Sequence, residues 1–233
     1  MRTGFLEDNR YQRLVEHVSE LWMRGMIEMA RTYGWRKREL LKLRVGQVDL
    51  KARTIRLDPG TTKNRAGREI TMTANVAALL EQCVNGKAPE EHVFTRDNGQ
   101  PVRDFRKAWY KLCVLAGVGQ MLCRACDKVV TGKKCECASP KLRYSGLILH
   151  DMRRTAARNL RRAGVPEGVI QKIGGWKTRS VFERYNIVSQ ADIADAINKL
   201  EEACKQSAVP EVGHDFGHDS PSGRGESGNA RSN

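Results

Sequence analysis

Apolar positions between residues 8 and 33 recur at three- and four-residue intervals, at Leu14, Val15, Val18, Leu21, Trp22, Met26 and Met29. This spacing predicts one amphipathic helix with a buried side. Gly34 then allows a turn, and Glu39-Leu40-Leu41 begins a second, short helix. From Val45 to Leu57 the pattern alternates, which predicts a hairpin turning near Lys51-Ala52. The run GREITM, Gly67 to Met72, reads as a third strand. Lys63 falls in the intervening loop, at the tip or edge of a small sheet. Helical spacing returns at Asn75–Cys83, and Asp97-Asn98-Gly99 marks a turn. In residues 103–116, Phe105, Ala108, Trp109, Leu112 and Leu115 are expected inward, with Arg103, Arg106, Lys107 and Lys111 outward. A helix opening at His150 carries Met152, Ala156, Ala157 and Leu160 on one side and stops at Gly164. Pro166 opens another, broken by Gly174-Gly175. Ala191–Cys204 forms a last helix striped with Ile193, Ala194, Ile197 and Leu200. The expected fold is mainly α with a small antiparallel β-sheet (α+β): one domain over residues 1–205, then a Gly-, Ser- and Pro-rich tail, 206–233, expected to be disordered.

Charge narrows the partner. The formal net charge of the 233 residues is +14, and the stretch after Ser207 is acidic on balance, so the body is more basic still. Such a body suits a polyanion, nucleic acid first and an anionic membrane surface second. No apolar run is long enough to span a bilayer. The N-terminal MRTGFLEDNR lacks the apolar core of a secretory signal, so a cytoplasmic location is expected.

The stretch from His150 to Tyr185 concentrates the chemistry. On a helix His150 and Arg153 share a face. Trp176 follows the Gly174-Gly175 break, and Tyr185 comes nine positions later. Guanidinium groups fork two donors toward phosphate and stay charged, and an indole N–H can only donate. A phenol can attack phosphorus once its proton is taken, and His150 is suited to assist. Arg36 adds a second guanidinium, which Glu39 three residues on can hold in place. Tyr144 is another tyrosine near the histidine. Arg154, Arg158, Arg161, Arg162, Arg179 and Arg184 are expected on the DNA backbone or in solvent. No carboxylate cluster suited to Mg²⁺ is evident.

The order Gly34-Trp35-Arg36-Lys37-Arg38-Glu39-Leu40, Thr62-Lys63-Asn64, then H-x-x-R, G-W and Y resembles the catalytic domain of the tyrosine recombinase (phage integrase) family over roughly residues 2 to 200. The resemblance implies a site-specific recombinase that breaks and rejoins double-stranded DNA through a covalent 3′-phosphotyrosyl link, without ATP or Mg²⁺. It implies catalytic roles for Arg36, Lys63, His150, Arg153, Trp176 and Tyr185. Tyr185 is the nucleophile and Lys63 the general acid for the 5′-oxygen. Trp176 stands where many members have histidine. It further implies a homo-oligomer, a tetramer on DNA, with the last helix docked on a neighbouring protomer. Larger members carry an N-terminal DNA-binding domain, for which the residues before Arg36 leave no room. Two other readings stay open: a non-catalytic DNA-binding module of the same fold, and a type IB topoisomerase-like nicking-closing enzyme.

Cys123, Cys126, Cys135 and Cys137, an insertion over 122–138, form two close pairs around a short spacer with Gly132 at its turn. Four thiolates so spaced suit a closed, structural Zn²⁺ site, with reduced uncoordinated thiols the main competitor. Arg124, Lys128, Lys133 and Lys134 could add phosphate contacts. Cys83, Cys113 and Cys204 read as small buried hydrophobes.

Overall fold

The computed structural model describes residues 5–59, 67–132, 134–137, 141–185, 188 and 190–207. Lys63, Lys133 and the tail from 208 onward lie outside the described residues. Two compact units divide the chain, Met1–Ser189 and Gln190–Asn233.

In the first unit the expected N-terminal helix is two: α1, Asp8–Glu16, and α2, Leu21–Tyr33. The break has a local cause. Glu20 adopts extended backbone ahead of α2, and its carboxylate accepts a 2.5 Å bond from the Trp22 indole. α2 is the centre of the core, with Met26, Ile27, Met29 and Ala30 almost fully buried, and it packs against α4 (Ala74–Val84) and α6 (Met152–Arg162). Between α2 and α4 lie the short α3 (Lys37–Lys42) and a three-stranded antiparallel sheet. Its strands are β1 (Val48–Asp49), β2 (Thr54–Leu57) and β3 (Arg68–Thr71), in that order. Ile55 and Leu57 of β2 point into the core, and Leu57 pairs with Arg68.

Helix α5 spans Arg106–Leu115, shorter than the expected 103–116. Phe105, Trp109 and Leu112 are buried as expected, together with Cys113, but Ala108 is exposed and Leu115 is 57% exposed. The Trp109 indole anchors the inward face by donating to the Leu147 carbonyl at 2.9 Å. A hairpin of β4 (Gly119–Cys123) and β5 (Leu142–Gly146) follows, with the four cysteines at its far end. Then come α6, α7 (Glu167–Gly174) and α8 (Arg179–Glu183). In the second unit, α9 (Gln190–Ser207) exposes Ile193, Ile197 and Leu200, and Cys204 is exposed rather than buried. Among the described residues no helix is long and apolar enough to cross a membrane.

Candidate active site

The site is built where α2 ends, α6 begins and α7 ends. Gly34 stops α2 in the left-handed region at φ +66°, where a Cβ would stand 3.0 Å from Ala156 and 3.2 Å from Trp176. This close approach brings the Arg36 turn onto α6. Arg36 precedes α3 and accordingly donates at 2.9 Å from both its backbone N–H and its Nη1 to the Glu39 carboxylate. Its Nη2 reaches the Gly175 carbonyl at 3.4 Å.

His150 sits in a turn of 3₁₀ helix, Leu149–Asp151, just before α6 rather than on it. The buried Asp151 fixes this turn by accepting from the Ile148 N–H at 3.0 Å and from Arg154 at 2.8 Å. His150 is exposed, whereas Arg153, three residues on, is 1% exposed. The two still converge, because Tyr185 bridges them. The Tyr185 hydroxyl lies 3.0 Å from His150 Nε2, and the Arg153 guanidinium stands 5.1 Å from the tyrosine ring centroid. The same guanidinium stacks 4.5 Å from the Trp176 ring and donates Nη1 to the carbonyls of Gly34 and Gly174. Among the described residues no carboxylate forms an ion pair with it. Burial, then the nearby Arg36 charge, pull Arg153 down to about 10, which still leaves it cationic at neutral pH. His150 keeps a face to solvent, but its partial desolvation and then the charges of Arg153 and Arg154 lower it below its ordinary 6.5, favouring the neutral imidazole.

Among the described residues, three buried donors here, Arg153 Nε, Arg153 Nη2 and Trp176 Nε1, have no hydrogen-bond partner. Buried donors are ordinarily satisfied, so their clustering beside a tyrosine hydroxyl marks a place for an acceptor-rich, anionic group. Beside Trp176 opens a cavity of about 740 Å³, lined also by Arg68, Lys172, Gly175 and Lys177.

Other expectations need correction. Arg154 and Arg158 are neither solvated nor free for a DNA backbone. Both are buried and paired, with Asp151 and with Glu7 at 2.8 and 2.7 Å. Tyr144 is not at the site, since its hydroxyl donates to the Leu147 carbonyl at 2.7 Å and its ring stacks on Tyr110. Sequence reasoning passed over Arg68, whose Nη2 meets the second Glu39 oxygen at 2.6 Å and whose guanidinium lies 4.9 Å from the Trp35 ring centroid. One sign was present in the strand alternation: Arg68 shares its face of β3 with Ile70, which packs on the core.

Cys123, Cys126, Cys135 and Cys137 do converge, with all four sulfurs within 4.8 Å of one another. Two sulfur pairs, Cys123–Cys137 and Cys126–Cys135, are at 3.5 Å, near the roughly 3.8 Å edge of a tetrahedron with metal–sulfur bonds of about 2.3 Å. The Ala125 N–H donates to Cys123 Sγ at 3.3 Å, and with the Cys126 N–H it draws that thiol down to about 6. The cluster can hold a metal ion. Cys83 and Cys113, by contrast, are pushed up by burial to about 11 and about 12 and are packing residues.

Comparison with known proteins supplies the deciding observation: the phage integrase family model matches residues 4–191. The chain belongs to the phage integrase family. A curated relative, the integrase of Salmonella phage P22, is 20% identical over 224 residues, covering 91% of this chain. This integrase-family chain spans only 51% of that relative's length. Among solved structures, XerA recombinase aligns with a TM-score of 0.62 at 17% identity, over 85% of this chain and 64% of that one. The Tn1549 transposon integrase in complex with transposon right-end DNA gives 0.60 at 18% identity, over 88% and 67%. The catalytic domain of bacteriophage HP1 integrase gives 0.54 at 17% identity, over 90% of this chain and 98% of that chain. These likenesses show the fold, mostly helical with small antiparallel sheets, as expected from the sequence pattern.

Proposed function

We propose that this chain is the catalytic portion of a site-specific DNA recombinase. The observation that carries the reading is the Tyr185 hydroxyl, hydrogen-bonded to His150 and set against a buried guanidinium whose Nε and Nη2 have no partner among the described residues. A scissile phosphate would take those donors. Arg36, Arg153 and Trp176 Nε1 would bind its non-bridging oxygens. Tyr185 Oη would attack phosphorus and pass its proton to neutral His150. The P–O5′ bond would break, leaving a 3′-phosphotyrosyl link and a 5′-hydroxyl protonated by Lys63. A second 5′-hydroxyl reverses these steps and rejoins DNA, so neither ATP nor Mg²⁺ enters the balance. A suicide duplex, nicked so that the cleaved strand diffuses away, tests the reading. Wild type should accumulate a covalent protein–DNA adduct, and Tyr185→Phe should give none. An adduct-free wild type would leave a DNA-binding module.

Two further features belong with this reading. The four-cysteine cluster would hold a structural Zn²⁺, closed to substrate by its four sulfur ligands. Purified protein should carry one zinc per chain, lost in Cys126→Ser. The exposed stripe Ile193, Ile197 and Leu200 suits a helix that docks on another copy during assembly on double-stranded DNA. Relaxation of supercoiled plasmid without ordered synaptic complexes would instead favour a nicking-closing enzyme.

A further inference from the structure

Arg68 lies at the first position of β3, five residues after Lys63 and in none of the motif boxes above, yet it touches three parts of the site. Its Nη2 binds Glu39 Oε2 at 2.6 Å, while Glu39 Oε1 takes Arg36 Nη1 at 2.9 Å. Its guanidinium lies over Trp35, the residue before Arg36. Its Nη1 stands so close to Gly175 that a Cβ there would meet it at 1.7 Å, and Gly175 is the left-handed stop of α7 that precedes Trp176. The Glu39 and Arg68 side chains are only 3% and 11% exposed, so solvent screens this cluster weakly. One carboxylate is therefore shared by two guanidinium groups.

The charge count decides what this sharing does. With Arg36 and Glu39 alone, a buried carboxylate would sit against the phosphate-binding guanidinium and cancel most of its field. With Arg68 present the trio keeps one net positive charge. We propose that Arg68 is a positioning residue for catalysis: by engaging Glu39 it leaves the charge of Arg36 available to the scissile phosphate. The inference rests on the recombinase reading for the identity of the anion. Burial and the neighbouring Arg36 charge lower Arg68's affinity for its proton while Glu39 opposes them, which shows the groups within electrostatic reach of one another.

The test compares single-turnover adduct formation by wild type, Arg68→Lys, Arg68→Gln and Glu39→Gln/Arg68→Gln. Each is given a suicide duplex with either an ordinary phosphodiester or a neutral methylphosphonate at the scissile position. Loss of one charge-assisted contact predicts that Arg68→Gln is slowed about 100-fold on the phosphodiester and much less on the methylphosphonate. The double variant, which removes the unopposed carboxylate, should recover about tenfold, and Arg68→Lys should fall between it and wild type. Arg68→Gln and the double variant equally slow on both substrates would overturn the inference and leave Arg68 a packing residue. Thermal melting of each variant separates misfolding from these outcomes, and the double variant keeps a neutral amide pair where the single one leaves a mismatch. Should wild type form no adduct, the recombinase reading fails by itself. Binding of orthovanadate, followed by tryptophan fluorescence, then reads the charge balance. The same ranking of affinities is expected, and equal binding by wild type and Arg68→Gln would overturn it.

Discussion

Arg153 and Arg158 stand five residues apart on one helix, are 1% and 4% exposed, and have opposite lives. Arg158 binds Glu7 at 2.7 Å and lies 3.5 Å from the Phe5 ring centroid, so it straps the N-terminal segment onto α6. Arg154 is likewise held by Asp151. Arg153 has carbonyls and aromatic faces around it, and among the described residues no carboxylate forms an ion pair with it. Burying a cation is costly in each case, and among the described residues only the first two have a carboxylate partner. A buried cation with its own counterion is a strut. One without, beside a tyrosine hydroxyl, is what the proposed recombinase reading would assign to an anion from elsewhere.

The sharpest way to break this contrast is Arg153→Met. Adduct formation on the suicide duplex should fall at least about 10³-fold, as when a preorganised donor to a developing oxyanion is removed. Its melting temperature should hold or rise, because an unneutralised buried charge has gone. Arg158→Met should do the reverse. Half of the Glu7 side chain is exposed, so the pair is partly screened, and a loss of about 2 kcal/mol in chemical denaturation is expected. The single-turnover rate of the folded variant should stay within a few-fold. Equal destabilisation by the two variants would erase the distinction between strut and ligand.

His150 gives a smaller, pH-dependent effect. Its affinity for a proton is lowered by burial and by Arg153 and Arg154, so the neutral form persists below its ordinary 6.5 and is lost only as pH falls further. If neutral His150 takes the Tyr185 proton, the acid limb of the cleavage rate lies below pH 6.5. His150→Gln should slow cleavage about 100-fold and remove that limb, whereas Arg158→Met should leave it in place. An acid limb above 6.5 would show that the neighbouring cations do not govern this histidine.

How much of this was legible in the sequence follows from what each signal depends on. Arg36, His150, Arg153, Trp176 and Tyr185 could be singled out from residue type and from the order of motifs that resembles the family, and the fold brings these five side chains to one place. The mostly helical architecture with small antiparallel sheets was legible from periodicity, as with Met26 and Met29 on α2. The division between α1 and α2 was not, since it turns on one side-chain bond from Trp22 to Glu20. Nor were the fates of Arg154 and Arg158 legible: an arginine next to a candidate phosphate ligand reads as another phosphate-backbone contact. Only the fold shows that Glu7, 151 positions away, reaches Arg158. Arg68 escaped for the same reason, its partner Glu39 lying 29 residues back on another element.

The smallest effect separates the two ends of the β4–β5 hairpin. At its base, Leu147 is pinned from several sides, with its N–H to Val118 at 3.0 Å and its carbonyl accepting from Trp109 at 2.9 Å and Tyr144 at 2.7 Å. Three residues later comes His150. At the far end, Cys123, Val130 and Cys135 form a small buried hydrophobic cluster with Leu142 packed against it. Nothing in that cluster is shared with the core that holds Leu147 and Leu149. Stripping metal with a chelator should therefore loosen the tip alone, giving faster proteolysis over 124–137. Cleavage should change by no more than about two-fold, since local opening need not propagate into a separately anchored unit. A collapse of cleavage on metal removal, reversed by added zinc, would show instead that the tip sets the position of His150, and that the anchors at Leu147 are not sufficient to hold it.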